Sequence, residues 1–143
     1  MIKGAKEQIG APIAQLSRIG VYGVARKKDK ILVITQEKGV YKGKFDLPGG
    51  GLEFGEDIEQ ALRREFIEEV GMEFGKMKLL TNLTTLVNHP TLLFHQIGLI
   101  YLVEELTNHP NPSPELRYEW IELQRLNQKN SSPFLDCVLN FLI

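Results

Sequence analysis

An α/β layered domain with a mixed sheet is the fold class this sequence predicts, and three observations predict it. Short β-branched runs recur along the chain, among them IGVYGVAR (19–26) and ILVIT (31–35). Residues 56–70 carry apolar side chains at helical spacing. Strand-like and helix-like stretches alternate in mixed order instead of segregating, as a layered α/β domain requires. The 143 residues suit one domain with one sizeable core, and we treat 1–143 as a single domain.

In chain order, 19–26 and 31–35 read as a strand pair joined by the polar turn KKDK. Residues 37–46 read as a surface loop. Residues 56–70 form the central helix, with Gly55 as N-cap and Glu56 and Asp57 at the positive end of the helix dipole. Gly71 followed by Met72 signals a left-handed C-cap. Two strands, about 77–87 and 92–104, flank a turn at Asn88-His89-Pro90. The proline-rich loop TNHPNPSP (107–114) is expected to hold no regular structure. A short strand at 117–122 comes next, and a last helix over about 132–143 starts with Ser132 as cap and Pro133 in the first turn. No repeat or low-complexity tract interrupts this order.

Composition narrows the function. Hydrophobic residues make up 43% and charged residues 24%, ordinary for a globular protein. Seventeen basic and eighteen acidic residues leave a net charge of −1, which gives no global electrostatic case for nucleic acid or an anionic membrane. The N-terminus lacks an apolar run of signal-peptide length, and Ile97–Val103 is too short to span a bilayer. A single cysteine, Cys137, excludes an intrachain disulfide. It is expected in the core, and a cytoplasmic setting is the default. A homodimer stays open.

The chemistry concentrates in LPGGGLEFGEDIEQALRREFIEEVGM (47–72). Ile58, Leu62, Phe66 and Val70 fall on one helical stripe that should pack on the sheet. Glu65, Glu68 and Glu69 lie beside that stripe, at the border of the buried face. At an effective dielectric of ~20, two carboxylates ~6 Å apart repel by about 3 kcal/mol. Acids placed there need a cation, and oxygen ligands suit Mg²⁺ or Mn²⁺. Arg64, i,i+4 to Glu68, can hold that carboxylate in place. Gly49, Gly50 and Gly51 let the backbone approach a charged ligand. A solvated acidic face with a flexible turn is the plainer reading, but it leaves the glycines, the arginine and the spacing without a reason.

Gly50, Glu56 and Arg64-Glu65-Phe66-Ile67-Glu68-Glu69-Val70-Gly71-Met72 together resemble the Nudix box, G-x5-E-x7-R-E-U-x-E-E-x-G-U, with U a bulky apolar residue. Phe66 is aromatic where an aliphatic residue is commoner. The flanks FDLPGG, Glu115 and Trp120 extend the resemblance loosely over about 19–126, leaving residues 1–18 and the last helix outside any motif. The resemblance implies a Nudix-type α/β/α sandwich. It also implies metal-dependent hydrolysis of a nucleoside diphosphate linked to another moiety X. Water attacks a phosphorus, and the metal ions screen the polyanion and lower the pKa of a bound water.

Carried over by position, Glu65 and Glu69 match the family's most consistent metal ligands. Glu68 matches the third acid, Gly50 the glycine whose carbonyl joins the site, and Arg64 the arginine that orients the glutamates. Glu56 matches an acid that is chiefly structural. The family supplies the catalytic base from different places. Glu115 is the first candidate and a box glutamate such as Glu68 the second, with Glu119 and Glu104 as rivals.

Phe45 and Tyr41 are candidates for stacking on a base, and Lys44, with Lys38 and Lys42, for meeting phosphates. His89, His95 and His109 read as loop or strand residues, and Trp120 as core. Marks of the NADH, coenzyme A and diadenosine polyphosphate subfamilies are absent. Pro90 lies near, not at, the position that marks ADP-ribose members. Nucleoside triphosphates, ADP-ribose and nucleotide sugars all stay open as substrates. A non-catalytic module that senses a nucleotide is the alternative, and it would be favoured by loss of a box carboxylate, none of which is lost.

Overall fold

The computed structural model describes residues 14–88 and 90–142. The reading of His89, and the part of the uncovered N-terminal stretch before Ala14, lie outside them. Among the described residues, ten strands and two helices follow one another as β1 (Ala14–Val24), β2 (Arg26–Lys27), β3 (Lys30–Thr35), β4 (Phe45–Asp46), β5 (Gly49–Gly51), α1 (Ile58–Val70), β6 (Met72–Glu73), β7 (Lys76–Asn88), β8 (Leu92–Glu104), β9 (Thr107–Asn108), β10 (Tyr118–Glu122) and α2 (Pro133–Leu142), with a 3₁₀ turn at Leu123–Arg125.

The larger sheet has the order β5-β1-β8-β7. It is mixed, since β1 runs parallel to β8 and antiparallel to β5, while β7 and β8 form an antiparallel hairpin. A second, antiparallel sheet has the order β10-β3-β2, with β4 paired on β3. Helices cover both faces, and β3 shows why. Leu32 and Ile34 enter a cluster with Ala61, Leu62, Phe66 and Val70 of α1. Ile31 and Val33 enter another with Phe134, Leu135 and Val138 of α2. A strand buried on both faces loses the apolar–polar alternation and reads as a continuous apolar run, as ILVI does here. The α/β/α layering is therefore as expected. Phe66, fully buried and edge-on to Phe74, fills the α1 side.

Several boundaries differ from expectation. β1 begins at Ala14, not near residue 19, because eleven residues pair in register with Leu92–Leu102. Its first six residues are exposed, so no apolar pattern announces them. The loop expected at 37–46 ends in the strand β4, and the glycine run is itself strand β5, with Gly49–Gly51 facing Tyr22–Gly20. Thr107–Asn108 are regular structure after all. They pair with Met72–Glu73, before the first proline can interrupt the ladder.

The N-cap of α1 is Asp57, not Gly55. Asp57 Oδ1 accepts from the Gln60 amide at 2.8 Å and Gln60 Oε1 from the Asp57 amide at 3.1 Å, a reciprocal capping box. Gly71 is the left-handed C-cap expected, at φ 66°. Ser132 does cap α2, with Oγ accepting from the Leu135 amide at 3.2 Å. Cys137 is half-buried and flanks the apolar stripe of α2 instead of joining the core. Trp120 packs partly buried against the α1-side cluster under Lys27, whose Nζ lies 4.3 Å from the ring centre. Among the described residues no helix is long and apolar enough to cross a membrane.

Candidate active site

Two acids of α1 border a cavity of about 270 Å³ between that helix, β1 and β5, and Glu68 lies outside it. Glu65 and Glu69 line it together with Gly49, Gly50 and Gly51. The close approach is real at Gly50, where a Cβ would stand 2.6 Å from Glu65 Oε1. Any other residue would push that carboxylate aside. Glu69 Oε1 accepts the Gly49 amide at 2.8 Å, which joins the helix to the strand across the site.

Burial decides the electrostatics. The Glu65 side chain is 13% exposed and Glu68 42%. Desolvation pushes the Glu65 acid above the ordinary carboxylate range, with Arg64 opposing it. Desolvation likewise pushes Glu69 up to about 8, against the pull of the Gly49 amide. A helix that keeps such acids without enough donors is poised for a cation.

Arg64 organises the acids. Its Nε and Nη2 meet the two Glu56 oxygens at 2.7 and 3.0 Å, and its Nη1 lies 3.2 Å from both Glu65 Oε1 and Glu68 Oε2. Nη2 also donates to the Gly51 carbonyl at 3.2 Å. Glu56 is thus held to Arg64, whose hydrogen bonds lower its pKa below the ordinary carboxylate value, and its Oε1 accepts the Glu53 amide. Its contacts are those of a support for the arginine.

Among the described residues no three His, Cys, Asp or Glu side chains converge into a ready-made metal cage. Glu65 and Glu69, facing the cavity beside the backbone of Gly49–Gly51, nonetheless fit a small hard cation. Mg²⁺ commonly takes one or two carboxylates and completes its shell with water and substrate phosphates.

Glu115 reaches this end of α1 through its backbone. Its amide donates to the Glu68 carbonyl at 2.9 Å and that of Leu116 to the Glu69 carbonyl at 3.3 Å, while the His109 amide donates to the Gly71 carbonyl at 3.0 Å. The loop is therefore tied to carbonyls that the helix leaves open at its end. The negative charge of Glu115 adds to the forces raising Glu69. Of its rivals, Glu119 pairs with Val33 in the second sheet, and Glu104 lies beside a groove formed with Trp120, Leu102 and Leu142.

Phe45 does not line the cavity. It packs toward the α2-side cluster, and its neighbour Asp46 turns inward instead, as strand alternation demands. Tyr41 does line the cavity, whereas Lys44 borders the neighbouring groove with Asp136 and Cys137. His95 Nδ1 lies 3.2 Å from Ser17 Oγ on the sheet, and His109 Nδ1 accepts the Asn111 amide, so both are local partners.

Cavity residues that sequence reasoning missed include Arg18, Tyr22, Gln36, Asp46 and Gln96. Arg18, Gly20 and Tyr22 alternate along β1, a period-two signal that a strand start at residue 14 would have exposed. The Arg18 guanidinium lies over Gly51, where a side chain would collide with it. Asp46 is 3% exposed. Burial raises its pKa, and hydrogen bonds from Ser132, Gln36 and the Leu47 amide oppose that rise.

Comparison with known proteins bears on the family and the fold. A NUDIX domain profile matches residues 15–140. Over 54 residues, 38% of the chain, the sequence is 44% identical to an ADP-ribose pyrophosphatase of Methanocaldococcus jannaschii, and the match covers 32% of that protein. Over 51 residues it is 47% identical to nucleoside triphosphatase NudI of Escherichia coli, covering 36% of this chain and 33% of that one. The chain thus matches about a third of the length of these curated relatives. Among solved structures, a MutT NUDIX hydrolase from Burkholderia pseudomallei superposes with a TM-score of 0.77 at 23% identity, over 90% of this chain and 99% of that one. A NUDIX hydrolase from Nitrosomonas europaea gives 0.70, also at 23%, over 89% of each chain.

Proposed function

We propose, from the premise that this chain belongs to the NUDIX family, that it hydrolyses a nucleoside diphosphate linked to another group with the help of a divalent cation. The observation that carries the proposal is the pair of under-compensated carboxylates, Glu65 and Glu69, set against the backbone of Gly49–Gly51 in one cavity. Glu65, Glu69 and the Gly50 carbonyl would hold Mg²⁺ or Mn²⁺, with Glu68 reaching it directly or through water. Bound there, the ion neutralises phosphate charge and acidifies water. Arg64 fixes the carboxylates, so they need not reorganise when charge develops. Glu115, anchored beside Glu69, takes the proton of the attacking water, and Glu68 is the second candidate for that task. Tyr41, on the cavity wall, offers the aromatic face that Phe45 does not.

Nucleoside triphosphates, ADP-ribose and nucleotide sugars form the substrate range, and the names of the two curated relatives support the first two. The test is phosphate or nucleoside monophosphate release from a panel of these compounds, with millimolar Mg²⁺ or Mn²⁺ and again with excess EDTA. Turnover should occur with metal and stop with EDTA. Full turnover in EDTA would remove the cation from the reaction. Tight binding with no turnover of any compound would make the chain a nucleotide sensor.

A further inference from the structure

Asp46 is a buried carboxylate with every oxygen in use. Its Oδ1 accepts the Leu47 amide at 2.8 Å and the Ser132 hydroxyl, and its Oδ2 accepts Gln36 Nε2 at 2.9 Å. A carboxylate only accepts, so the Gln36 amide has one permitted orientation. Its NH₂ group faces Asp46, and its carbonyl oxygen Oε1 is turned away with no hydrogen-bond partner among the described residues. Gln36 and Tyr41 both line the cavity that holds Glu65 and Glu69. A second amide there, Gln96, is held among the described residues by the Thr85 hydroxyl alone, at 3.3 Å. A hydroxyl donates or accepts equally well, so Gln96 can turn to suit a ligand and Gln36 cannot.

We propose that Gln36, locked by Asp46, selects nucleotides whose base presents an exocyclic amino group, adenine or cytosine, over the matching keto bases. The inference rests on the nucleotide reading above and deepens it. An amino group donates to the fixed Gln36 oxygen. A keto oxygen in its place sets two acceptors face to face and leaves both unpaired, which is how a site built for a hydrogen bond rejects an analogue.

Matched pairs test this: ATP against ITP, CTP against UTP, and ADP-ribose against its inosine counterpart. The amino member should be favoured by about tenfold or more in kcat/KM. In Asp46→Asn the new amide still accepts at Oδ1 but donates to Gln36 Oε1. Gln36 then turns its NH₂ to the cavity, and the preference should fall to parity or invert. Gln36→Met keeps Asp46 and should bring the ratio to about one. It serves if Asp46→Asn does not fold, as judged by its thermal transition.

The Kd of AMP against IMP, measured by calorimetry, needs no turnover. A chain that hydrolyses nothing but binds AMP more tightly refutes the hydrolase and supports the amino selection. A chain that hydrolyses both members of each pair equally refutes the selection and leaves the hydrolase standing. A preference that survives unchanged in the variants also overturns the role of Gln36.

Discussion

Glu69 is an acid with one compensating donor, the Gly49 amide, and a partly buried carboxyl. Its pKa of about 8 in the fold, against an ordinary value near 4.5, has a defined sign. The folded state holds the proton more tightly than the unfolded chain, so its stability contribution is complete below about 4.5. It is lost as the pH rises through about 8. The metal-free protein should therefore show a falling thermal midpoint between about pH 4.5 and 8. Glu69→Gln should flatten that fall, and saturating Mg²⁺ should reverse it in the parent. The same substitution should lower kcat by orders of magnitude with the circular dichroism spectrum unchanged. Glu115 and Glu68 separate by kinetics. If Glu115 is the base, Glu115→Gln lowers kcat strongly at saturating metal and the acid limb of the pH–rate profile moves or vanishes. A persisting limb with only a few-fold loss would transfer the role to Glu68.

Helix α1 owes its precision to its two ends. The Asp57–Gln60 box starts it, and Asp57→Ala should cost about 1 kcal/mol in chemical denaturation. Gly71 ends it with φ 66°, and a Cβ there would stand 3.0 Å from Pro112 Cβ. Gly71→Ala should thus cost about 1 kcal/mol or more. It should also reduce kcat beyond the Asp57 variant, since Pro112 belongs to the segment that delivers Glu115. The two ends were unequally legible. Gly71 carries its own signal, because few residues tolerate that backbone. Asp57 and Gln60 stood at capping-box spacing, yet the preceding Gly55 drew the boundary away from them. The loop at 107–114 was expected to hold no regular structure because prolines dominate it. The amides that tie it to Glu68, Glu69 and Gly71 are backbone groups and leave no trace in side-chain pattern.

Across the molecule, a layered α/β domain with a mixed sheet was legible because it depends on local periodicity, and the α/β/α sandwich followed from the resemblance that the motif carries. The sheet order and the wall opposite the motif were not, because they depend on pairing between distant segments. Arg18 enters the site from β1, whose outer half is exposed and patternless. Asp46 stood in plain sight in FDLPGG, but its partners Gln36 and Ser132 come from β3's exit and the cap of α2. Ser132 thereby couples the last helix to the cavity. Ser132→Ala should cost about 1–3 kcal/mol, since it leaves Asp46 short of a donor as well as uncapping α2. Equilibrium urea unfolding measures the loss.

The parallel pairing of β1 with β8 also sets an order of events during synthesis. A ribosome releases β1 first, and its partner at Leu92–Leu102 emerges only after β5, α1 and β7 have passed. Until then β1 can pair on one side alone, with the three glycine residues of β5. The central strand of the sheet therefore waits with an open edge for most of translation, and closure of the layered core is a late, long-range step. A nascent chain halted after Asn88 should remain protease-sensitive, and one extended past Glu104 should gain protection along β1.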